Sequence, residues 1–134
     1  MLLTLIAGLM LFAFTACAGN SNAIDPLDGT SWKLVSYHGA DVIAEQGLTA
    51  QFENETVSGS AGCNSYGGTY QVDGETIQIK DIISTLMACT EPQGVMEQEA
   101  GFLGDLTNAQ TFHLVNGQLE IVSSTGETLT FSPQ

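Results

Sequence analysis

Short segments of alternating polarity, joined by tight turns, constrain the fold of this chain most strongly. From Thr30 onward, apolar and polar residues alternate with a period of two, as in a strand with one buried face. Asp73-Gly74, Asn116-Gly117 and Thr125-Gly126 each separate two such segments, and Asp-Gly and Asn-Gly are strong signals for two-residue hairpins. The pattern predicts a mainly β domain whose antiparallel strands curl into a barrel or half-barrel.

We expect about eight short strands and one helix inserted late in the chain. The segments with strand periodicity are 32–37, 48–53, 56–60, 69–72, 76–80, 111–115, 118–123 and 128–131, and 82–86 is an apolar run rich in β-branched residues. One face of a helix that should pack on the barrel is instead indicated by the spacing of Val95, Met96, Glu99, Phe102, Leu103 and Leu106. The start of this helix is predicted at Thr90, as the N-cap of a capping box with Gln93 and with Pro92 in the first turn.

Large side chains are expected to point into the barrel and fill it. They are Trp32, Phe52, Tyr70, Ile77, Leu114 and Phe131. Eight strands leave room for packed side chains or for one small ligand, and this set favours a filled interior.

The first sixteen residues form an apolar run in which only Thr4, Gly8 and Thr15 are not apolar. The run is shorter than the ~20 residues of a membrane-spanning helix and suits an export signal. It ends in Phe14-Thr15-Ala16-Cys17, which resembles a bacterial lipobox, although no Lys or Arg precedes it. We expect a lipoprotein signal peptide at 1–16, a lipidated Cys17 with a tether at 17–27, and one folded domain at 28–134. A buried helix and a permanent anchor are the alternatives.

The chain is strongly acidic, which excludes some functions. Its 134 residues include two Lys or Arg against fifteen Asp or Glu, a net charge of -13. Nucleic-acid binding and electrostatic attachment to anionic lipid both need clustered basic side chains, so neither is expected. The predicted contact with a membrane is therefore the lipid on Cys17, which places the protein in the bacterial cell envelope.

Two cysteines remain once Cys17 is assigned to lipidation. Cys63 and Cys89 are an even pair in an exported chain, and such pairs usually form disulfides. The alternative is a pair of buried free thiols that behave as small apolar residues.

No motif for catalysis or for a cofactor is present. The chain has no G-x-S-x-G elbow and no phosphate-binding glycine loop. Cys63 and Cys89 could be combined with His38 and His113 as zinc ligands, and Cys63 could be paired with His113 as a nucleophile and base. Neither set has the spacing that such sites favour. We expect no enzymatic activity, no cofactor and no metal.

Tyr66 and Tyr70 flank a glycine-rich corner at residues 59–68. With Asn64, they are the candidates for contact with a ligand or a partner. The alternative for the two tyrosines is a half-buried position at the rim with solvated hydroxyl groups.

Two sequence elements resemble the META domain family of HslJ-like proteins. The first is GCNSYGG at 62–68, and the second is TLMAC at 85–89. The ends of the domain, GTSW at 29–32 and LTF at 129–131, also fit the family. The resemblance covers 27–131 and implies a compact antiparallel barrel, broadly lipocalin-like, with one helix against it. It also implies a link to envelope stress and no established enzymatic activity.

The function expected from these observations is that of a non-enzymatic envelope lipoprotein, acting in stress protection or as a binding module. Two alternatives remain open for the molecule that the domain binds, namely a small molecule and a protein. The domain either carries a small apolar ligand inside the barrel or binds another protein through its surface. A continuous internal cavity of ~300 Å³ or more would favour the carrier, and a filled core with an exposed apolar patch would favour the interaction module.

Overall fold

The structure is a computed structural model that describes residues 24–44 and 46–134. Within these residues, eight antiparallel strands pair in chain order, and β8 returns to pair with β1 and close the barrel. The elements are β1 (Thr30–Tyr37), β2 (Thr49–Glu53), β3 (Thr56–Ser60), β4 (Ser65–Asp73), β5 (Thr76–Ser84), α1 (Val95–Thr107), β6 (Ala109–Val115), β7 (Gln118–Ser123) and β8 (Thr128–Pro133). The predicted fold class, an antiparallel barrel with one helix, is confirmed.

The tight turns adopt the backbone conformations that two-residue hairpins require. Asn116 and Gly117 between β6 and β7 have φ angles of 53° and 77°. Positive φ at both positions matches the twist of the flanking strands, which explains the Asn-Gly dipeptide. Asn54 and Glu55 connect β2 to β3 with φ of 51° and 61°, so this turn has the same form without a glycine.

Strand β5 is longer than its sequence pattern predicts. The predicted strand is 76–80, but β5 continues into the apolar run at 82–86 as far as Ser84, through an irregularity in its pairing with β4. Asp81 has a φ of 55°, and the opposing Gly68 has no room for a side chain, because a Cβ there would lie 2.8 Å from the carbonyl oxygen of Lys80. The bulge lets one long strand bend with the barrel wall, and Leu86 lies beyond its end.

The helix begins later than predicted and occupies a gap in the strand pairing. Its N-cap is Gly94 with a φ of 86° and no side-chain capping bond, so the prediction of Thr90 as N-cap is wrong. Strand β5 pairs with β6 only at Thr76 and Thr111. Helix α1 packs on β5 and β7 and leads directly into β6, so it takes the place of strand pairing along the rest of β5.

The interior of the barrel is filled by large side chains. Trp32, Phe52, Tyr70, Ile77 and Phe131 are buried as predicted, and α1 adds Phe102 and Leu106, both fully buried. The prediction for Leu114 is wrong, because its side chain is 47% exposed. Leu114 pairs with the fully buried Leu119 of β7, but β5 begins at Thr76, opposite Thr111, so no residue of that strand flanks Leu114 on its other side.

The packed domain includes residues from the predicted tether. Leu27 is fully buried, and its backbone N–H donates a hydrogen bond of 2.8 Å to Oδ1 of Asp25. The predictions for the signal peptide and for Cys17 concern residues outside those the structure describes. Across 24–44 and 46–134, no helix has the length and apolarity needed to cross a bilayer.

Candidate functional site

The two sequence elements at 62–68 and 85–89 meet at one end of the barrel and are joined covalently. Cys63 follows β3, and Cys89 lies between β5 and α1. They form a disulfide with their Cα atoms 5.9 Å apart, within the range that the bond requires. The predicted Cys63–Cys89 disulfide is confirmed.

Asn64 holds the segment after β5 through its side-chain amide. Its Oδ1 accepts hydrogen bonds from the N–H of Met87 at 2.7 Å and from the hydroxyl of Thr85 at 2.8 Å. Its Nδ2 donates to the carbonyl oxygen of Met87 at 3.0 Å and to Oε1 of Glu99 at 2.6 Å. An asparagine side chain has two acceptor sites and two N–H donors, so all four hydrogen-bonding positions of the Asn64 side chain are occupied within the protein.

Glu99 completes this network from the helix. Its side chain is buried, and Oε2 accepts the backbone N–H groups of Cys63 at 2.9 Å and Asn64 at 2.7 Å. Sequence reasoning placed Glu99 on the apolar face of the helix but assigned it no partner. A carboxylate in an otherwise apolar stripe was the available signal, because a buried charge requires hydrogen-bond donors.

The segment held by Asn64 carries three exposed apolar side chains. Ile83 is 76% exposed, Leu86 is 95% exposed and Met87 is 58% exposed. We call these three residues the apolar ridge. The backbone below the ridge is fixed, since Thr85 N–H also donates to the carbonyl oxygen of Ser65 at 3.0 Å. The ridge is thus a rigid apolar feature in contact with solvent.

A small cleft adjoins the ridge. It has a volume of about 200 Å³ and runs beside the disulfide, and its lining includes Cys63, Met87, Cys89, Glu91, Pro92 and Val95. We call it the ridge cleft. Met87 belongs to both features, so the cleft adjoins the ridge at this residue.

Tyr66 and Tyr70 point into the core. The Tyr66 hydroxyl donates to the carbonyl oxygen of Thr49 at 2.8 Å, and the Tyr70 hydroxyl donates to Oδ2 of Asp25 at 2.6 Å. Burial raises the pKa of Tyr66, and burial together with the hydrogen bond to Asp25 raises the pKa of Tyr70. These geometries give both tyrosines structural roles, while their predicted contact with a ligand, like that of Asn64, stays a prediction.

An open depression of about 780 Å³ lies at the opposite end of β5 from the ridge. Its lining is polar and includes the carboxylates of Asp25, Asp28, Glu55 and Asp73. Its volume exceeds the minimum of ~300 Å³ for a carrier, but it is an open depression outside the filled interior and its lining carries carboxylates. Its chemistry therefore does not suit a small apolar ligand.

The histidines and cysteines are engaged separately. His38 Nε2 lies 2.6 Å from Oδ2 of Asp105, and His113 Nδ1 lies 3.2 Å from Oε1 of Glu75. The disulfide occupies both cysteine sulfurs, so the zinc and nucleophile combinations drawn from the sequence are not assembled. In the part of the chain that the structure describes, no group of three or more His, Cys, Asp or Glu residues is arranged to hold a metal ion.

Similar proteins were found among solved structures. An NMR structure of a protein from Burkholderia xenovorans is 26% identical, with a TM-score of 0.65, covering 81% of this chain and 83% of that chain. A second NMR structure is also 26% identical, with a TM-score of 0.66 and coverage of 79% and 90%. A DUF4847 family protein from Bacteroides vulgatus shares the fold at 17% identity, with a TM-score of 0.58 and coverage of 80% and 94%.

The family comparison is more specific. No curated protein sequence matches the chain significantly. A family model described as the META domain matches residues 25–134. Because this match spans most of the chain, the protein belongs to the META domain family.

Proposed function

We propose that this protein is a lipid-anchored lipoprotein of the bacterial envelope whose META domain acts as a non-enzymatic protein-interaction module in stress protection. The proposed docking surface is the apolar ridge. The observation that carries the proposal is the exposure of Ile83 near the end of β5 and of Leu86 and Met87 on the following segment, which is hydrogen-bonded to the side chain of Asn64. Single exposed apolar residues are ordinary, but three within five residues on a fixed backbone indicate a surface that another molecule covers.

Rigidity is what makes this surface suitable for binding. A flexible segment would lose conformational entropy on ordering against a partner, which weakens association. Here the disulfide and the Asn64–Glu99 network have already fixed the segment during folding. Covering the ridge then gains about 25 cal/mol for each Å² of apolar surface removed from water, with little ordering cost.

The filled interior favours this proposal over the carrier of a small apolar ligand. Phe52, Phe102 and Phe131 occupy the space that such a ligand would need. Displacing them would open the core of a small domain, which has little stability to lose. The exposed apolar surface lies outside the barrel, where a protein partner can reach it.

The position of the ridge also suits a partner away from the membrane. Asp25 lines the depression beside Thr76, at the start of β5, whereas Ile83 lies near the end of that strand. Seven residues of strand separate the two ends by about 23 Å. With a lipid on Cys17, this proposal has the chain join the domain at its Asp25 end, which leaves the ridge at the end away from the attachment point.

Site-specific photo-crosslinking in the native host tests the docking surface. A benzophenone amino acid replaces Leu86, and the matched control replaces Leu114, which is exposed on β6. We expect a discrete protein adduct from position 86 that is absent from position 114 and is lost when Ile83 and Met87 are changed to Ser. Equal adducts at both positions, or none at position 86, would contradict the proposal.

Phase partitioning tests the anchor. The protein should enter the detergent phase and carry a diacylglyceryl group on Cys17, whereas Cys17→Ser should remain uncleaved or stay in the aqueous phase. Mass spectrometry of the mature N-terminus measures both the cleavage and the lipid. A mature wild-type protein with an unmodified Cys17 would rule out the lipoprotein assignment.

A further inference from the structure

We infer that the ridge cleft receives one Lys or Arg side chain of the protein partner, while apolar side chains of that partner cover the ridge. The inference rests on the proposed function, because it assigns the chemistry of the partner at the same surface. The cleft, its lining and its charge are observations independent of the exposure of the ridge.

The size of the cleft favours a single side chain. Small-molecule sites occupy about 300–1,000 Å³. The ridge cleft has about 200 Å³, and Met87 continues its wall onto the ridge. A polypeptide that lies on the ridge is therefore placed to insert one side chain beside the disulfide.

The lining suits a side chain with an apolar stem and a cationic head. Val95, Pro92 and the disulfide supply the apolar part of the lining, Gln46 adds a polar side chain, and Glu91 is exposed. Lys and Arg bury their methylene stems along apolar surface while the charged head stays near water. A carboxylate such as that of Glu91, which belongs to the lining, can accept hydrogen bonds from such a head.

Charge complementarity excludes an acidic side chain at this position. The chain carries a net charge of -13, and its two basic residues are Lys33 and Lys80. Neither lysine is among the residues that line the cleft in the described part of the chain. An Asp or Glu from a partner would be repelled by Glu91 and by the net charge of the domain, whereas a cation is attracted by both.

Selection from a displayed library of random dodecapeptides tests the inference. The full chain is held in a phosphatidylcholine nanodisc at about 0.15 M ionic strength, where long-range attraction is screened beyond ~8 Å. Three proteins are compared with wild type: Glu91→Gln, Glu53→Gln and a ridge variant with Ser at positions 83, 86 and 87. Glu53 is an exposed residue at the far end of β2, so its substitution makes the same change in net charge away from the cleft.

The expected result separates the contribution of the cleft, which selects Lys or Arg, from that of the ridge, which selects apolar residues. Peptides selected on wild type should be enriched in large apolar residues and in Lys or Arg. Glu91→Gln should lower the Lys and Arg enrichment about threefold, as expected for a solvent-exposed ion pair, and leave the apolar enrichment intact. Glu53→Gln should retain both, and the ridge variant should lose the apolar enrichment.

Each other outcome overturns a stated claim. If Glu91→Gln and Glu53→Gln give the same Lys and Arg enrichment, the inference about the cleft is wrong and the proposed docking surface stands. If wild type and the ridge variant select the same peptides, the proposed function fails, and the inference fails with it.

Discussion

At the level of single residues, the side-chain amide of Asn64 makes the hydrogen bonds that a neighbouring strand would otherwise make. Its amide pairs with both the N–H and the carbonyl oxygen of Met87, as a peptide group would across a β-ladder. No strand lies there to do so, because the segment after Ser84 has left β5. Asp cannot donate from this position and Gln is longer by one methylene, so the amide of Asn fits the geometry.

Glu99 gives the first prediction at this scale. Glu99→Gln replaces one acceptor oxygen by an N–H₂ group that would face backbone or amide donors. Because hydrogen bonds to a charged group contribute about 1.5–3 kcal/mol, we expect the free energy of unfolding to fall by about 2–3 kcal/mol. Urea denaturation measures it. Glu97→Gln on the exposed face of the same helix is the control, and an equal effect of both variants would contradict a specific role for Glu99.

The buried tyrosines give a pH-dependent prediction. Burial raises the pKa of Tyr66 in the folded state above the value of about 10 that applies to the unfolded chain. The unfolded state therefore loses its proton first, so stability is fully present below pH ~10 and declines as the pH rises further. We expect the free energy of unfolding to fall above pH ~10.

Tyr66→Phe isolates the contribution of that hydroxyl group. The variant should lose about 1 kcal/mol at neutral pH with its hydrogen bond to Thr49, yet decline less steeply at alkaline pH than wild type. Urea titrations at several pH values provide the comparison. Parallel declines in wild type and variant would mean that Tyr66 does not contribute to alkaline unfolding.

At the scale of elements, α1 combines three tasks on one face. Phe102 and Leu106 fill the barrel, Glu99 binds the β3–β4 loop, and Val95 lines the ridge cleft. The glycines that the helix tolerates have different surroundings. A Cβ on Gly101 would collide with the hydroxyl of Tyr37, whereas a Cβ on Gly104 would meet nothing within 4 Å.

Because of these surroundings, we expect the change of Gly to Ala to affect protein stability differently at the two positions. Gly104→Ala should stabilise the protein by about 0.5–1 kcal/mol, because Ala is the better helix former. Gly101→Ala should lose that gain by displacing the ring of Tyr37, which stacks on His38 with the ring centroids 3.9 Å apart. Thermal denaturation of the two variants is the measurement. An equal rise in the melting temperatures of the two variants would show that the ring of Tyr37 moves aside without a loss of stability.

At the scale of the whole molecule, the disulfide joins two parts of the chain that the barrel alone does not pair. It closes a separation of 26 residues, for which the chain-entropy estimate is about 3 kcal/mol. We expect reduction, or the double change of Cys63 and Cys89 to Ala, to lower the free energy of unfolding by about that amount. Urea denaturation with and without reductant gives the value, and an unchanged midpoint would contradict it.

Most of the barrel was predictable from local sequence. The period-two segments and the Asn116-Gly117 turn reflect preferences within a few residues, because alternation buries one strand face and the turn requires positive φ. The pairing of Cys63 with Cys89 followed from their number and from the export that the apolar N-terminal run predicts. The aromatic residues Trp32 and Phe131 were placed inside for the same local reason.

Other features were decided only when distant segments met. The start of α1 at Gly94, rather than at Thr90, and the coverage of β5 by that helix depend on contacts between elements. Asn64 and Glu99 are 35 residues apart, and neither has a local partner that would reveal the other.

The candidate site shows the same contrast between what the local pattern predicts and what the tertiary structure produces. An apolar run at 82–86 predicts a strand, and the alternation rule predicts burial of one face of it. Yet the β5 strand ends at Ser84, so Leu86 and Met87 extend past the sheet into solvent. By itself, the sequence determined which residues are apolar and which turns are tight, since those properties belong to neighbouring residues. The tertiary structure alone decided which apolar side chains the core covers, because burial depends on where every other segment lies.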